Sequence, residues 1–324
     1  MNRLILSAAA AAASLLALSA CGSTDVAADT AASASSSAGP VTLTDATGTK
    51  VVLEHPATRV VSTEWVVTED LISLGVQQVG AADVADYKVY DTDVPLTGDV
   101  TDIGLRGEPS MDTVASLSPD LIIATTDLTA SVIKQLRAIA PTLVVNPANG
   151  ADQIGQMTTD LDLIAQATGR TAQAATVEKT FETTLATGKK ALAAAGLAGT
   201  KVAVADSYTV SNQVTVRPYT STSLFGAVDK ELGLVDAWDV TGDKSYGLGS
   251  TDVEGLTKLG DVPLVYENSG EDPFTVELAG NAVWKNLPFV KDGKVTRLPD
   301  GIWPFGGPGS MDAYIDALVN ALTK

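Results

Sequence analysis

Residues 121–169 read LIIATTDLTASVIKQLRAIAPTLVVNPANGADQIGQMTTDLDLIAQATG. Leu121-Ile122-Ile123-Ala124 is an unbroken apolar run of strand length, Leu128 to Ile139 has helical periodicity, and Thr142-Leu143-Val144-Val145 is a second apolar run. Strand, helix and strand in that order predict a parallel pair with a helical crossover, buried on both faces. The period then changes. Ile154, Met157, Leu161, Ile164 and Thr168 lie at spacings of 3, 4, 3 and 4, and Gly169 ends the run. This is one apolar stripe along a helix. At 1.5 Å per residue about eighteen residues extend about 27 Å, enough to connect two lobes.

The same rhythm continues on either side. Val41–Thr44 and Lys50–Leu53 flank Gly48 as a hairpin, Arg59–Ser62 is a short buried strand, and residues 63–74 are helical up to Gly75. Beyond the connector, a second long helix is expected over 171–195. Strands follow at 201–205, 213–216, 263–266 and 294–298, alternating with helices at 223–232, 252–259, 281–286 and 311–322. The expected fold is therefore α/β, with two lobes that each carry a mostly parallel sheet flanked by helices, joined by a single long helix. The boundaries are 41–148 for the N-terminal lobe, 149–170 for the connecting helix and 171–324 for the C-terminal lobe. A single helical joint, in place of flexible strands, predicts modest lobe motion on ligand binding.

Composition excludes several activities. The chain of 324 residues carries 39 Asp and Glu against 21 Lys and Arg, a formal charge of −18 that disfavours nucleic acid as a partner. One histidine (His55) and one cysteine (Cys21) cannot build a zinc site or an internal disulfide. No direct metal ligand set is expected. G-x-S-x-G, P-loop, post-strand G-x-G-x-x-G and H-E-x-x-H motifs are all missing.

Residues 1–20 have a short charged start at Arg3, an apolar run from Leu4 to Leu18 and small residues before Cys21, the layout of a secretory signal. Leu18-Ser19-Ala20-Cys21 resembles a bacterial lipobox, which implies lipid attachment at Cys21 after cleavage. Residues 21–40, rich in Ser, Ala and Thr, read as a flexible tether spanning roughly 24 Å. An extracytoplasmic protein anchored on the outer face of the cytoplasmic membrane is expected.

Unusual residues gather in loops: Glu64-Trp65, Tyr87 to Tyr90, Gly104-Leu105-Arg106-Gly107-Glu108-Pro109, Arg217-Pro218-Tyr219, Ser245-Tyr246, and Trp303 with Phe305. Trp303 and Phe305, expected to be exposed, are held by the Gly- and Pro-rich run 301–309. Loops at strand ends of open α/β sheets face the ligand crevice. In so acidic a chain Arg106 between two glycines stands out. It is either a surface ion pair with Glu108 or a planar fork of donors for ligand oxygens.

Four stretches carry a family resemblance: RVVSTEWVVTEDLISLGVQQVGAADVADYKVY, DIGLRGEPSMDTVASLSPDLIIA, SYGLGSTDVEGL and NAVWKNLPFVKDGKVTRLPDGIWPFGGPGSM. Together they span about residues 57 to 322. They resemble the iron-siderophore substrate-binding proteins of ABC importers, and more narrowly the ferric hydroxamate branch. That resemblance implies two α/β lobes on one helix and a monomer that delivers a ferric siderophore to a membrane permease. Arg106 then falls on the arginine that contacts the chelating oxygens. Tyr90, Tyr246 and Trp303 fall on aromatic wall positions. Arg217 sits on a loop that supplies polar contacts in several relatives. Trp65 and Phe305, read from their own loops, are added to the candidate ligand-binding residues. Asp112 and Glu254 fall on the acidic residues that dock the permease, one per lobe; each is also a carboxylate expected at a helix N-terminus, where the dipole favours it. A tyrosine of the hydroxamate branch is missing near Leu128.

Other readings stay open. A chelate such as ferric citrate, haem or cobalamin could use the same fold, although citrate calls for more basic residues and haem for an axial His or Tyr. A surface hydrolase working through cleft carboxylates, or a sensor lobe with no transported ligand, belongs to a different class.

Overall fold

The computed structural model describes residues 39–211 and 213–324. The signal segment, Cys21 and the tether as far as residue 38 lie outside the described residues. A hairpin, β1 (Val41–Thr44) with β2 (Lys50–Leu53), opens the fold. The first sheet is built from β3 (Val60–Ser62), α1 (Trp65–Ser73), β4 (Gln78–Ala81), α2 (Val84–Tyr90) and β5 (Thr101–Asp102). A two-stranded hairpin follows, β6 (Gly104–Leu105) and β7 (Glu108–Pro109), then α3 (Met111–Ser116), β8 (Leu121–Thr125), α4 (Ala130–Ile139) and β9 (Thr142–Val145). Strand order is β5-β4-β3-β8-β9, and every pairing is parallel.

The unbroken apolar runs are explained by burial on both faces. Leu121 and Ile123 point into one core with Val60 and Leu143, while Ile122 and Ala124 point into the opposite core with Val61 and Val144. Burying each Leu, Ile or Val contributes about 1.5 to 3 kcal/mol, and Ile122→Ala would cost about 2 to 5 kcal/mol.

Helix α5 (Gln153–Thr168) starts on Asp152, whose carboxylate accepts from Gly155 N at 3.0 Å, and stops at Gly169 in the left-handed region. Its apolar stripe is shared. Leu161 and Ile164 lie in the core of the first sheet, Met157 in the core of the second. Helix α6 (Thr171–Ala194) lies along it and divides the same way, with Ala174 in the first core and Phe181 and Leu192 in the second.

The second sheet holds β10 (Lys201–Val210), β11 (Gln213–Pro218), α7 (Leu224–Leu232), β12 (Val235–Asp236), β13 (Leu264–Tyr266), α8 (Ala282–Asn286), α9 (Pro288–Lys291) and β14 (Val295–Arg297). Helix α10 (Pro308–Leu322) ends the chain. Strands run β11-β10-β13-β14, with β12 beside β10. Here the structure departs from the expected βα rhythm. β11 is an antiparallel partner of β10, the two forming a hairpin with Asp206 opposite Arg217. Residues 255–259, expected as the end of an α-helix, form a short 3-10 turn.

A buried seam ties α1 to α10. Glu69, fully buried, accepts from Gly307 N, Ser310 N and Ser310 Oγ, each at 2.8 Å. A side chain at Gly306 or Gly307 would collide with the carboxylates of Glu69 or Asp70, so this approach requires glycine. Burial raises the pKa of Glu69 above the ordinary carboxylate range, although the donors of Ser310 and Gly307 oppose it. Burial likewise pushes Asp70 well up and Asp91 to about 9, with the Glu69 charge adding to both, and holds Asp160 at about 7.

Candidate ligand-binding cleft

Parallel strands deliver their loops to one edge. Glu64 follows β3, Asp83 follows β4, Arg106 follows β5, Asp127 follows β8 and Pro147 follows β9; all line a cleft of about 480 Å³. The opposite wall comes from the second sheet: Arg217 at the end of β11, Tyr246 and Leu248 from the loop after β12, and Trp303 and Phe305 after β14. The seven sequence-derived candidates, Arg106, Tyr90, Tyr246, Trp303, Trp65, Arg217 and Phe305, are thus brought together in one cleft.

Arg106 and Gly107 form the turn between Leu105 and Glu108, and Gly104 at φ +97° lets the hairpin fold back on itself. The guanidinium does not pair with Glu108. Its Nη1 donates to Glu64 Oε1 at 2.7 Å, and the same oxygen accepts from Trp65 N at 2.9 Å. Glu64 thereby caps α1 and orients the arginine together. The Arg106 guanidinium carbon lies 4.1 Å from the Trp65 ring centroid and 5.1 Å from that of Trp303. Its remaining N–H groups make no hydrogen bond among the described residues.

The aromatic wall is continuous. Trp65 stacks on Tyr90 at 5.8 Å and meets Trp303 edge-on at 4.6 Å; Trp303 meets Phe305 at 5.1 Å, and Phe305 meets Tyr246 at 5.4 Å. Trp303 is not exposed as expected. It is 9% exposed because Trp65, Tyr90 and Phe305 pack around it. Tyr87 to Tyr90, read as a loop, is the last turn of α2, and Tyr87 is buried with its hydroxyl on Val94 O.

Across the cleft, Arg217 donates from Nε to Asp206 Oδ1 at 2.9 Å and from Nη2 to Asp206 Oδ2, which also accepts from Tyr219 Oη at 2.8 Å. Tyr246 is set by Asp243, whose carboxylate accepts from the N–H groups of Ser245, Tyr246 and Leu248. Burial alone would raise Asp243, but those three donors together hold it below the ordinary carboxylate range. The Tyr246 hydroxyl donates across the cleft to Asp127 Oδ2 at 2.5 Å, and burial, then this bond, raises its pKa.

Asp83, Asp86 and Asp127 were not singled out in the sequence. Asp127 follows directly on the apolar run that ends in β8, a position that could have marked it. Asp83 could not be found this way, because the short β4 with its glycine gives little strand signal. Leu128, where a tyrosine was expected, is buried in the core beneath α4 and does not reach the cleft. Asp112, exposed in the first turn of α3, and Glu254, exposed at the start of the 3-10 turn, both lie outside the cleft. The helix-dipole argument holds for Asp112 but not for Glu254, since a five-residue turn follows it.

Residues 60–301 match the periplasmic binding protein family. The iron(3+)-hydroxamate-binding protein FhuD of Escherichia coli is 24% identical over 82% of this chain and 86% of its own length. The Fe(3+)-citrate-binding protein YfmC of Bacillus subtilis is 29% identical over 78% of this chain and 77% of its own. Among solved structures, the siderophore-binding protein FhuD of Vibrio cholerae bound to Fe3+-Desferal superposes with a TM-score of 0.71. It is 24% identical and covers 82% of this chain and 98% of that one, a likeness that shows the fold. With two α/β sheets feeding one cleft and most of its length matched, the chain belongs to the periplasmic binding protein family.

Proposed function

We propose that the protein is the solute-binding component of an ABC importer and captures a ferric siderophore, hydroxamate in type, in the cleft. The observation that carries this reading is Arg106, held by Glu64 against the Trp65 and Trp303 rings yet keeping N–H donors that make no hydrogen bond among the described residues. A siderophore already fills the coordination sphere of its iron, so the protein needs to hold only the outside of the chelate. Arg106 would donate to the chelating oxygens, and Tyr90, Trp65, Trp303, Phe305 and Tyr246 would pack on the ligand backbone. Arg217 would border the opposite side. No catalytic step is assigned, in keeping with relatives named for binding. The lipobox resemblance supports a tether through lipid on Cys21, on the outer face of the cytoplasmic membrane.

Ferric citrate, named for YfmC among the relatives, is the second reading, and the cleft argues against it. Its two arginines are each already paired with a carboxylate.

Tryptophan-fluorescence titration of residues 40–324 with ferric hydroxamates, catecholates, citrate and haem tests the reading. A charge-assisted hydrogen bond contributes about 1.5 to 3 kcal/mol, so Arg106→Ala should weaken hydroxamate binding by about one to two orders of magnitude. Unchanged affinity in that variant would overturn the assignment. Asp112 and Glu254 would dock arginines of the permease. Reversing either charge should lower cellular iron uptake while solution affinity stays within about twofold; normal uptake by both variants would remove this role.

A further inference from the structure

Past Tyr90, Trp303 and Arg217, which line both spaces, the cleft opens into an annex of about 260 Å³. Glu267 forms part of its wall and is only 5% exposed, while Glu271 stands exposed at its rim. One Glu267 oxygen, Oε1, accepts the hydroxyl of Ser269; the other accepts no hydrogen bond among the described residues. Cleft and annex together are lined by seven carboxylates and two guanidiniums. Both guanidiniums are paired, Arg106 with Glu64 and Arg217 with Asp206. Asp83, Asp86, Asp127, Glu267 and Glu271 form no ion pair among the described residues.

This charge pattern sorts ligands. Three hydroxamates neutralise ferric iron, whereas three catecholates leave it with three negative charges, which a cleft so rich in carboxylates repels. An excess of anion beyond the aromatic wall has no use for a neutral iron centre. It suits a positive group elsewhere on the same ligand, and the faces of Tyr90 and Trp303 at the entrance favour a cation as well.

Resting on the siderophore reading above, we propose that the annex is a cation subsite: it receives the protonated amine arm of a ferric chelate whose iron centre is neutral, with Glu267 and Glu271 as its anionic contacts. Burial raises Glu267 to about 7; the Ser269 hydrogen bond opposes this, Asp206 and Asp300 add to it, and Arg297 subtracts. A primary amine stays protonated to about pH 10. The preference for an amine arm therefore grows as pH rises from about 6 to about 8 and Glu267 ionises.

The test compares a linear ferric trihydroxamate ending in a primary amine with its N-acetylated form, on the soluble protein. The amine form is expected to bind about tenfold tighter. Glu267→Gln should bring that ratio towards one, and Glu271→Gln, at an exposed position where folding is not at stake, should lower it by a smaller factor. Equal affinities for the two forms in the unmodified protein, or a ratio that both variants leave intact, overturn the cation subsite while leaving siderophore capture standing. Failure of both forms to bind, together with every other ferric hydroxamate, overturns the capture reading and the subsite with it.

Discussion

Two arginines face each other across the cleft with almost equal side-chain exposure, 34% for Arg106 and 32% for Arg217. Access to water therefore does not distinguish them; their partners do. Arg217 grips Asp206 through two nitrogens, and the same carboxylate holds the buried hydroxyl of Tyr219. Its register opposite Asp206 on an antiparallel hairpin builds the pair into the sheet. Arg106 makes one hydrogen bond, to Glu64, from the turn of the small β6–β7 hairpin, outside both main sheets. One guanidinium is part of the wall, and the other is a presented donor.

Breaking the wall should have the largest effect. Asp206→Ala leaves Arg217 and Tyr219 without their acceptor and should cost about 3 kcal/mol, read as a fall in Tm of several degrees. A Tm within about one degree of the parent would show that the pair is not structural. Arg106→Ala is the mirror case. Affinity should drop by the one to two orders of magnitude given above while Tm hardly moves, and a large loss of Tm would place Arg106 in the wall as well.

The buried carboxylates provide a third test. Asp91 and Asp160 have folded pKa values raised above the unfolded value near 3.9, so the folded state holds their protons more tightly. Their contribution to stability is complete below the unfolded pKa and is lost as pH rises, through about 7 for Asp160 and about 9 for Asp91. Thermal unfolding should show a decline from mildly acid to alkaline pH. Asp91→Asn should flatten it and gain about 1 kcal/mol or more at pH 8, roughly 2 to 4 °C; an equally steep decline in the variant would sink this account. The smallest effect is expected from Glu64→Gln, which keeps an acceptor for Trp65 N but removes one negative charge beside Arg106. Binding of a neutral chelate should change by no more than about threefold, and that of a citrate chelate should improve. Weaker citrate binding would contradict the charge argument.

Much of this was legible in the sequence for physical reasons. Apolar runs such as Leu121–Ala124 signal a strand buried on both faces, and the 3-4 spacing through Ile154–Thr168 can only be a helical stripe. The cleft residues could be listed because arginine and large aromatics are rare in this chain; several read as loop residues in fact sit at element ends, Trp65 at the start of α1, Tyr90 at the end of α2 and Arg217 near the end of β11. What was hidden depends on pairing over distance. Glu64 as the partner of Arg106 lies 42 residues away, and nothing local distinguishes it from Glu108. The antiparallel turn of β11 was hidden too, since a run like Gln213–Val216 has the same pattern in either direction. Trp303 looked exposed because a glycine-rich loop hides how closely it can pack.

The bond from Tyr246 to Asp127 gives the cleft a time scale. Exposed side chains change rotamer in picoseconds to nanoseconds, whereas domains swing in microseconds to milliseconds. The two sheets are fastened through α5, α6 and the Glu69 seam, so a ligand is expected to enter by displacing the Tyr246 phenol. A large fall in radius of gyration on binding, read by small-angle scattering, would show a closing lobe instead. Without such closure, the arrival of a ligand is limited by docking, and its dwell time by the contacts made inside.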